Sequence, residues 1–143
     1  MKYYVYAYLD SKVEENISFN DIIFTHRPIY IGKGQNNRMF THLNDRKRYK
    51  YYFYNKLNKM ILEENIPLIV KLKEFESEKE AIDLEIKLIK YLGKKKSGGL
   101  LYNMTDGGDG VSGYVYTDDV KEKMSIKAVE NKNHLRLQDY WNK

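Results

Sequence analysis

The chain has 143 residues, 42% of them hydrophobic and 31% charged, with a net charge of +5, no cysteine and fourteen tyrosines. This size and balance fit one ordinary packed domain with a short appendage. Disulfides and thiolate metal sites are excluded, and no apolar run approaches the roughly 20 residues of a membrane span. No membrane partner and a cytoplasmic location are therefore expected.

The opening MKYYVYAYLD has one lysine followed by alternating tyrosines, unlike a secretory signal. Lys2–Leu9, aromatic and β-branched, predicts a strand with both faces in use. Residues 10–27 read as a long connection with room for a hairpin extension. PIYIG then reads as a second strand opened by Pro28 and ended by Gly32 and Gly34. NNRMFTHL begins a helix with Asn36 or Asn37 as N-cap. In YKYYFYNKLNKMILEEN, the residues Phe53, Leu57, Met60 and Ile61 share a stripe, predicting a second helix stopped by Pro67. PLIVKLKEF alternates Leu68, Val70 and Leu72 with Lys71 and Lys73, a third strand.

SEKEAIDLEIKLIKYLG carries a capping-box pattern at Ser77 and Glu80 and a helix-ending Gly93. The following KKKSGGLLYNMTDGGDG reads as loop with an apolar piece at Leu100–Tyr102. YTDDVKEKMSIKAVENKN predicts a last helix capped by Thr117, set apart by GGDGVSG. Charge is uneven along this order. Residues 33–60 carry eight Lys/Arg against one Asp, whereas residues 61–92 carry five against eight acids. The asymmetry fits either a basic face for a polyanion or a solvated lysine-rich surface.

Three patterns carry candidate chemistry. On the helix after Ser77, at about 100° per residue, Glu85 falls among Ala81, Ile82, Ile86, Leu88, Ile89 and Leu92. A buried carboxylate must pair with a cation, bind a metal or line a cleft. Arg38 and His42 stand four apart, on one side of their helix. Lys33 lies between two glycines, but GKGQNNR lacks the upstream glycine and the GKS/GKT ending of a nucleotide-binding loop. His26, His42 and His134 have no metal-ligand spacing, which argues against a zinc site.

Tyr4-Val5-Tyr6, Tyr30-Ile31-Gly32, Arg38, His42, Glu85 and Asn103, in that order, resemble the GIY-YIG nuclease family over roughly residues 2–110. The first triplet departs from the family name, with Tyr4-Val5 standing where Gly-Ile would. The resemblance implies an α+β fold, a small three-stranded antiparallel sheet flanked by helices, in a nuclease domain spanning residues 1–110. It implies metal-dependent hydrolysis of DNA phosphodiesters. Glu85 would be the sole protein ligand of Mg²⁺, or of another divalent cation such as Mn²⁺. Tyr6 would be general base or relay, its pKa lowered by Lys33, Arg38 and the metal. Tyr30 would position the water or the phosphate, and Arg38 would steady the scissile phosphate. Lys33 and His42 would support them, and Asn103 would hold the site together by hydrogen bonds.

Arg46, Lys47, Arg48, Lys50, Lys56 and Lys59 form a natural phosphate-contact surface. Gly113–Ala128 resembles the nuclease-associated modular element of mobile-intron endonucleases. It would make residues 111–143 a helical DNA-binding appendage using Lys121, Lys123, Ser125 and Lys127. The expected function is a homing-type or phage-type endonuclease. The alternatives are a repair or restriction nuclease of the same family, or a catalytically inactive DNA-binding module. Cutting both strands would require a homodimer on DNA or a second sequential cut.

Overall fold

The computed structural model describes residues 2–108, so Thr117, Lys121, Lys123, Ser125, Lys127 and the appendage lie outside the described residues. The chain runs β1 (Tyr3–Phe19), β2 (Ile22–Gly34), α1 (Arg38–Asp45), α2 (Tyr52–Leu62), β3 (Leu68–Phe75) and α3 (Glu78–Leu92), followed by a 3-10 turn at Lys95–Ser97. The three strands form one antiparallel sheet in the order β2-β1-β3. The fold is α+β, a small sheet flanked by helices, as the sequence predicts.

Alternation along the central strand divides the molecule. Val5, Ala7 and Leu9 point to one face and join Ala81, Leu88, Ile89 and Leu92 of α3 in an aliphatic core. Tyr4, Tyr6 and Tyr8 point to the other and join Met39 of α1 and Phe53, Tyr54, Leu57 and Met60 of α2. Each fully buried side chain of this size stabilises the fold by about 1.5–3 kcal/mol. A strand of period two thus separates an aliphatic face from an aromatic one.

One local expectation is extended and two are revised. The hairpin extension for which residues 10–27 leave room takes up the whole segment: β1 and β2 continue through it as one long hairpin, closed at Asn20-Asp21 with Asn20 in the left-handed region. Pro28 does not open β2 but lies within it, beside the register shift where Leu9 pairs with Pro28 and Tyr8 with Tyr30. An edge strand with a bulge tolerates a proline, which has no N–H to offer the ladder. Ser77 occupies the N-cap position of α3, yet its side chain makes no capping hydrogen bond.

The outer edge of β2 is closed by the segment after α3. Tyr102 N–H donates to the Ile29 carbonyl at 2.7 Å. The buried Asn103 amide then clasps one residue of the strand, its Oδ1 accepting from Ile31 N–H at 3.0 Å and its Nδ2 donating to the Ile31 carbonyl at 2.8 Å. A side-chain amide here replaces a fourth strand. Asn103→Ala would leave two buried backbone groups without a partner, and a loss of about 1–3 kcal/mol is expected. Urea unfolding measures it, and a wild-type midpoint in the variant would rule out the clasp.

Candidate active site

Tyr4, Tyr6 and Tyr8 of β1 all reach α1. The Tyr4 hydroxyl accepts from Met39 N–H at 3.0 Å and donates to the Asn36 carbonyl at 2.7 Å. It satisfies an N-terminal N–H of the helix that the side chain of the N-cap residue, Asn37, leaves uncapped. The Tyr8 hydroxyl donates to the Met39 carbonyl. Between them, the Tyr6 hydroxyl lies 2.6 Å from His42 Nε2, and His42 Nδ1 lies 2.9 Å from the Tyr54 hydroxyl on α2. One buried imidazole therefore bridges two phenols from a strand and a helix.

The glycines before α1 make this possible by being small. A Cβ on Gly32 would stand 2.4 Å from the Tyr6 phenol, and one on Gly34 would stand 2.5 Å from Arg38 Cγ. Gly32 lies opposite Tyr6 in the ladder, so the phenol rests on bare backbone. The two glycines of GKG clear space for the Tyr6 ring and the Arg38 side chain.

An open cleft of about 840 Å³ lies against this cluster, walled by Tyr30, Arg38, His42, Lys50, Tyr54 and Asn103 among others. Tyr30 stacks on Phe53 with ring centres 4.2 Å apart, and its ring is 4.7 Å from the His42 ring. Burial, helped by the nearby Arg38 charge, pushes the His42 imidazole down to a pKa of about 4. The bridging histidine is neutral at pH 7, with one nitrogen donating and the other accepting.

The expected cationic lowering of the Tyr6 pKa is corrected by the same physics. Burial is the largest influence and raises the phenol far above its ordinary value, with Tyr30, Tyr8 and Glu85 adding to the rise and Arg38 opposing it. Desolvation outweighs one guanidinium. Tyr6 is thus held as a neutral phenol, suited to relaying a proton and unsuited to resting as a phenolate. Tyr54 is also raised, by burial first and by Asp45 second.

Sequence order gathers Tyr6, Tyr30, Arg38, His42 and Asn103 around one feature, though Tyr6 and Glu85 are not among the residues walling the cleft. Lys33 and Glu85 are both engaged with α3 and do not wall the cleft. Lys33 pairs with Glu78 at 3.0 Å, at the start of α3. Glu85 is half-buried on α3, and its Oε1 accepts the Gly108 N–H at 3.1 Å. Its charge still reaches Tyr6.

Of the basic residues, Lys47, Arg48, Lys50 and Lys59 are exposed. Arg46 is used structurally, donating to the Leu43 carbonyl at 2.8 Å. Lys56 lies over the Tyr102 ring at 5.5 Å. Sequence reasoning missed three groups. Tyr54 sits one place off the expected α2 stripe. Lys95 and Lys96, read as loop, lie over Tyr102 and Tyr52 at 5.5 and 5.3 Å, extending the basic surface across the cleft. The lysine run KKK beside GLLY was the available signal.

Among the described residues, no group of three or more His, Asp or Glu is gathered around a common point. A single carboxylate remains compatible with Mg²⁺, which keeps most of its waters and takes one or two protein oxygens. Glu85, a hard oxygen donor anchored by a backbone N–H, has that chemistry. A comparison with known protein families, with characterised proteins and with solved structures gave no match.

Two outcomes are expected from this geometry. Gly32→Ala forces a methyl against the Tyr6 phenol and should cost about 1–3 kcal/mol, read by thermal unfolding; an unchanged melting curve would contradict the close approach. Between pH 4 and 6.5 the unfolded chain binds a proton at His42 that the folded chain refuses. Stability from this site is full above pH 6.5 and is lost as pH falls toward 4, by on the order of 3 kcal/mol. The difference in urea stability between wild type and His42→Gln should therefore shrink from pH 7 to pH 4.5, and a constant difference would exclude the neutral bridge.

Proposed function

We propose that the chain is a divalent-metal-dependent endodeoxyribonuclease of the homing or phage type, hydrolysing DNA phosphodiesters at the Tyr6–His42–Tyr54 cluster. The observation that carries the reading is the neutral His42 bridging two phenols at the wall of a cleft that also presents Arg38 and Lys50. Neutral donors and acceptors in a row move a proton without stranding charge in a desolvated place. A cationic wall beside that row suits a phosphodiester, whose transition state concentrates negative charge on oxygen.

In this mechanism Arg38, exposed at the start of α1, holds two phosphate oxygens with its planar fork. Lys50 contributes a point charge at the cleft rim. Tyr30, fixed by its stack on Phe53, aligns the attacking water. The water oxygen bonds to phosphorus, its proton enters the hydrogen-bonded row at Tyr54, and the bond to the leaving oxygen breaks. The leaving oxygen is protonated by solvent, and the proton passed from Tyr54 to His42 returns through Tyr54 to the solvent of the cleft, leaving the row neutral as it began. Tyr6 serves as the buried end of the relay, and Asn103 keeps β2 in register beneath Tyr30. A divalent ion bound at Glu85 would supply the further neutralisation of charge that the reaction needs. Lys47, Arg48, Lys56, Lys59, Lys95 and Lys96 add salt-sensitive affinity without sequence choice. A single such centre makes one incision, so two-strand cutting would engage a homodimer or a second event.

Supercoiled plasmid with Mg²⁺ tests the reading. Wild type should relax the plasmid, chelation of the metal should stop it, and Arg38→Ala and Glu85→Ala should each slow nicking by on the order of a hundredfold. Plasmid left closed under Mg²⁺ and Mn²⁺ alike, despite DNA binding, would leave a binding module in place of a nuclease. Equal nicking by wild type and Glu85→Ala would remove Glu85 from the reaction.

A further inference from the structure

The loop between α1 and α2 carries a feature that phosphodiester hydrolysis alone does not require. Tyr49 and Tyr51 are 43% and 56% exposed, and their rings lie parallel, 6° apart in plane with centres at 5.2 Å. Core packing does not explain two large aromatic faces held in solvent together, since neither ring belongs to the buried cluster of this side. They are connected to it: Tyr51 lies 5.1 Å from the Tyr54 ring, and Tyr54 holds His42. Tyr51 also walls the cleft. Exposed Lys47, Arg48 and Lys50 alternate with the two rings in sequence.

We infer that Tyr49 and Tyr51 form a stacking platform for unpaired bases, so that the preferred substrate is single-stranded or locally unpaired DNA. The inference rests on the nuclease reading in taking DNA as the polyanion, and it adds the class of DNA. A paired duplex buries the π-faces of its bases and presents only their edges and the backbone. A tyrosine face gains nothing from it beyond what the lysines already provide. An unpaired strand offers both a π-face for each ring and a phosphate for each neighbouring cation, the combination by which single strands are held. The ring ladder from Tyr51 through Tyr54 to His42 would place a base on the platform one step from the proton relay. The nucleotide beside the scissile phosphate would thereby be pinned by stacking.

Fluorescence of 2-aminopurine in a single-stranded oligonucleotide, titrated with the full chain in EDTA at fixed salt, reads stacking and affinity without cleavage. The single strand and a bulged duplex should bind about tenfold tighter than a perfect duplex, with quenching on binding. Tyr49→Leu with Tyr51→Leu should lose about that factor and the quenching while keeping duplex affinity, and Tyr51→Phe should behave as wild type. Equal affinity of wild type for duplex and single strand overturns the platform. So does undiminished quenching in a double-leucine variant that melts as wild type does; if that variant does not fold, the wild-type ratio and quenching decide. Plasmid nicking with Mg²⁺ reads the nuclease proposal separately. Nicking without single-strand preference sinks the platform alone, quenching without cleavage under any metal sinks the nuclease alone, and no DNA binding at all sinks both.

Discussion

The hydrogen-bonded bridge from Tyr6 through His42 to Tyr54 is the constraint on which the arrangement depends. It ties the central strand to α1 and α2 at a single buried ring. An imidazole in that place costs desolvation whenever it is charged, so the site selects the neutral form and with it one donor and one acceptor. A neutral ring needs partners that both give and receive, and two phenols satisfy it. Tyrosine on the strand is thus demanded twice, for its apolar ring in the sheet and for its hydroxyl against the helix. Tyr4 and Tyr8, on either side, use their hydroxyls on the backbone of the same helix and hold His42 at the right height.

Burial also decides which chemistry such a cluster can support. A phenol becomes a base by ionising, and ionisation is what a water-poor pocket opposes. Arg38 acts in the other direction but stands exposed, where solvent weakens its field. The balance favours proton relay over a standing phenolate. The exposed part of the site is correspondingly cationic and aromatic, and the buried part is neutral and hydrogen-bonded. Charge is kept where water helps to hold it.

Much of this was legible in the chain. The order of strands and helices follows from period-two and period-3.6 patterning; the i,i+4 spacing set Arg38 and His42 on one side of α1, and the family resemblance pointed to Asn103, all three of which wall the cleft. A hairpin extension was legible but its full length was hidden, because its inward positions are not all apolar. Glu15 points inward at the place where alternation calls for a hydrophobe, and only Arg27 across the hairpin, 2.6 Å away, makes that tolerable. Pairing of this kind cannot be read from one strand. Tyr54 was missed for a related reason: its role is set by a ring nitrogen twelve residues earlier, and helix periodicity reports burial, not hydrogen bonding. The role of Gly32 was also invisible, because it depends on which residue the ladder sets opposite.

The two faces of the sheet would remain chemically separate but for the segment that follows α3. Leu100 and Leu101 bury into the aliphatic core, and Asn103 then clasps Ile31 at the edge of β2. A few residues later the same segment returns, and Gly108 N–H meets the Glu85 carboxylate on α3. Gly107 lets the backbone pass there, since a Cβ on it would already touch Ile86, Ile89 and Glu85. One short stretch thus fixes the strand that carries Tyr30 and the acid whose charge raises the Tyr6 pKa. Because β2 has no strand on its outer side, this clasp adds to the β1 ladder in fixing Tyr30. The segment read in sequence as loop with an apolar piece therefore holds both the Glu85 carboxylate and the β2 edge beside the Tyr6–His42–Tyr54 cluster.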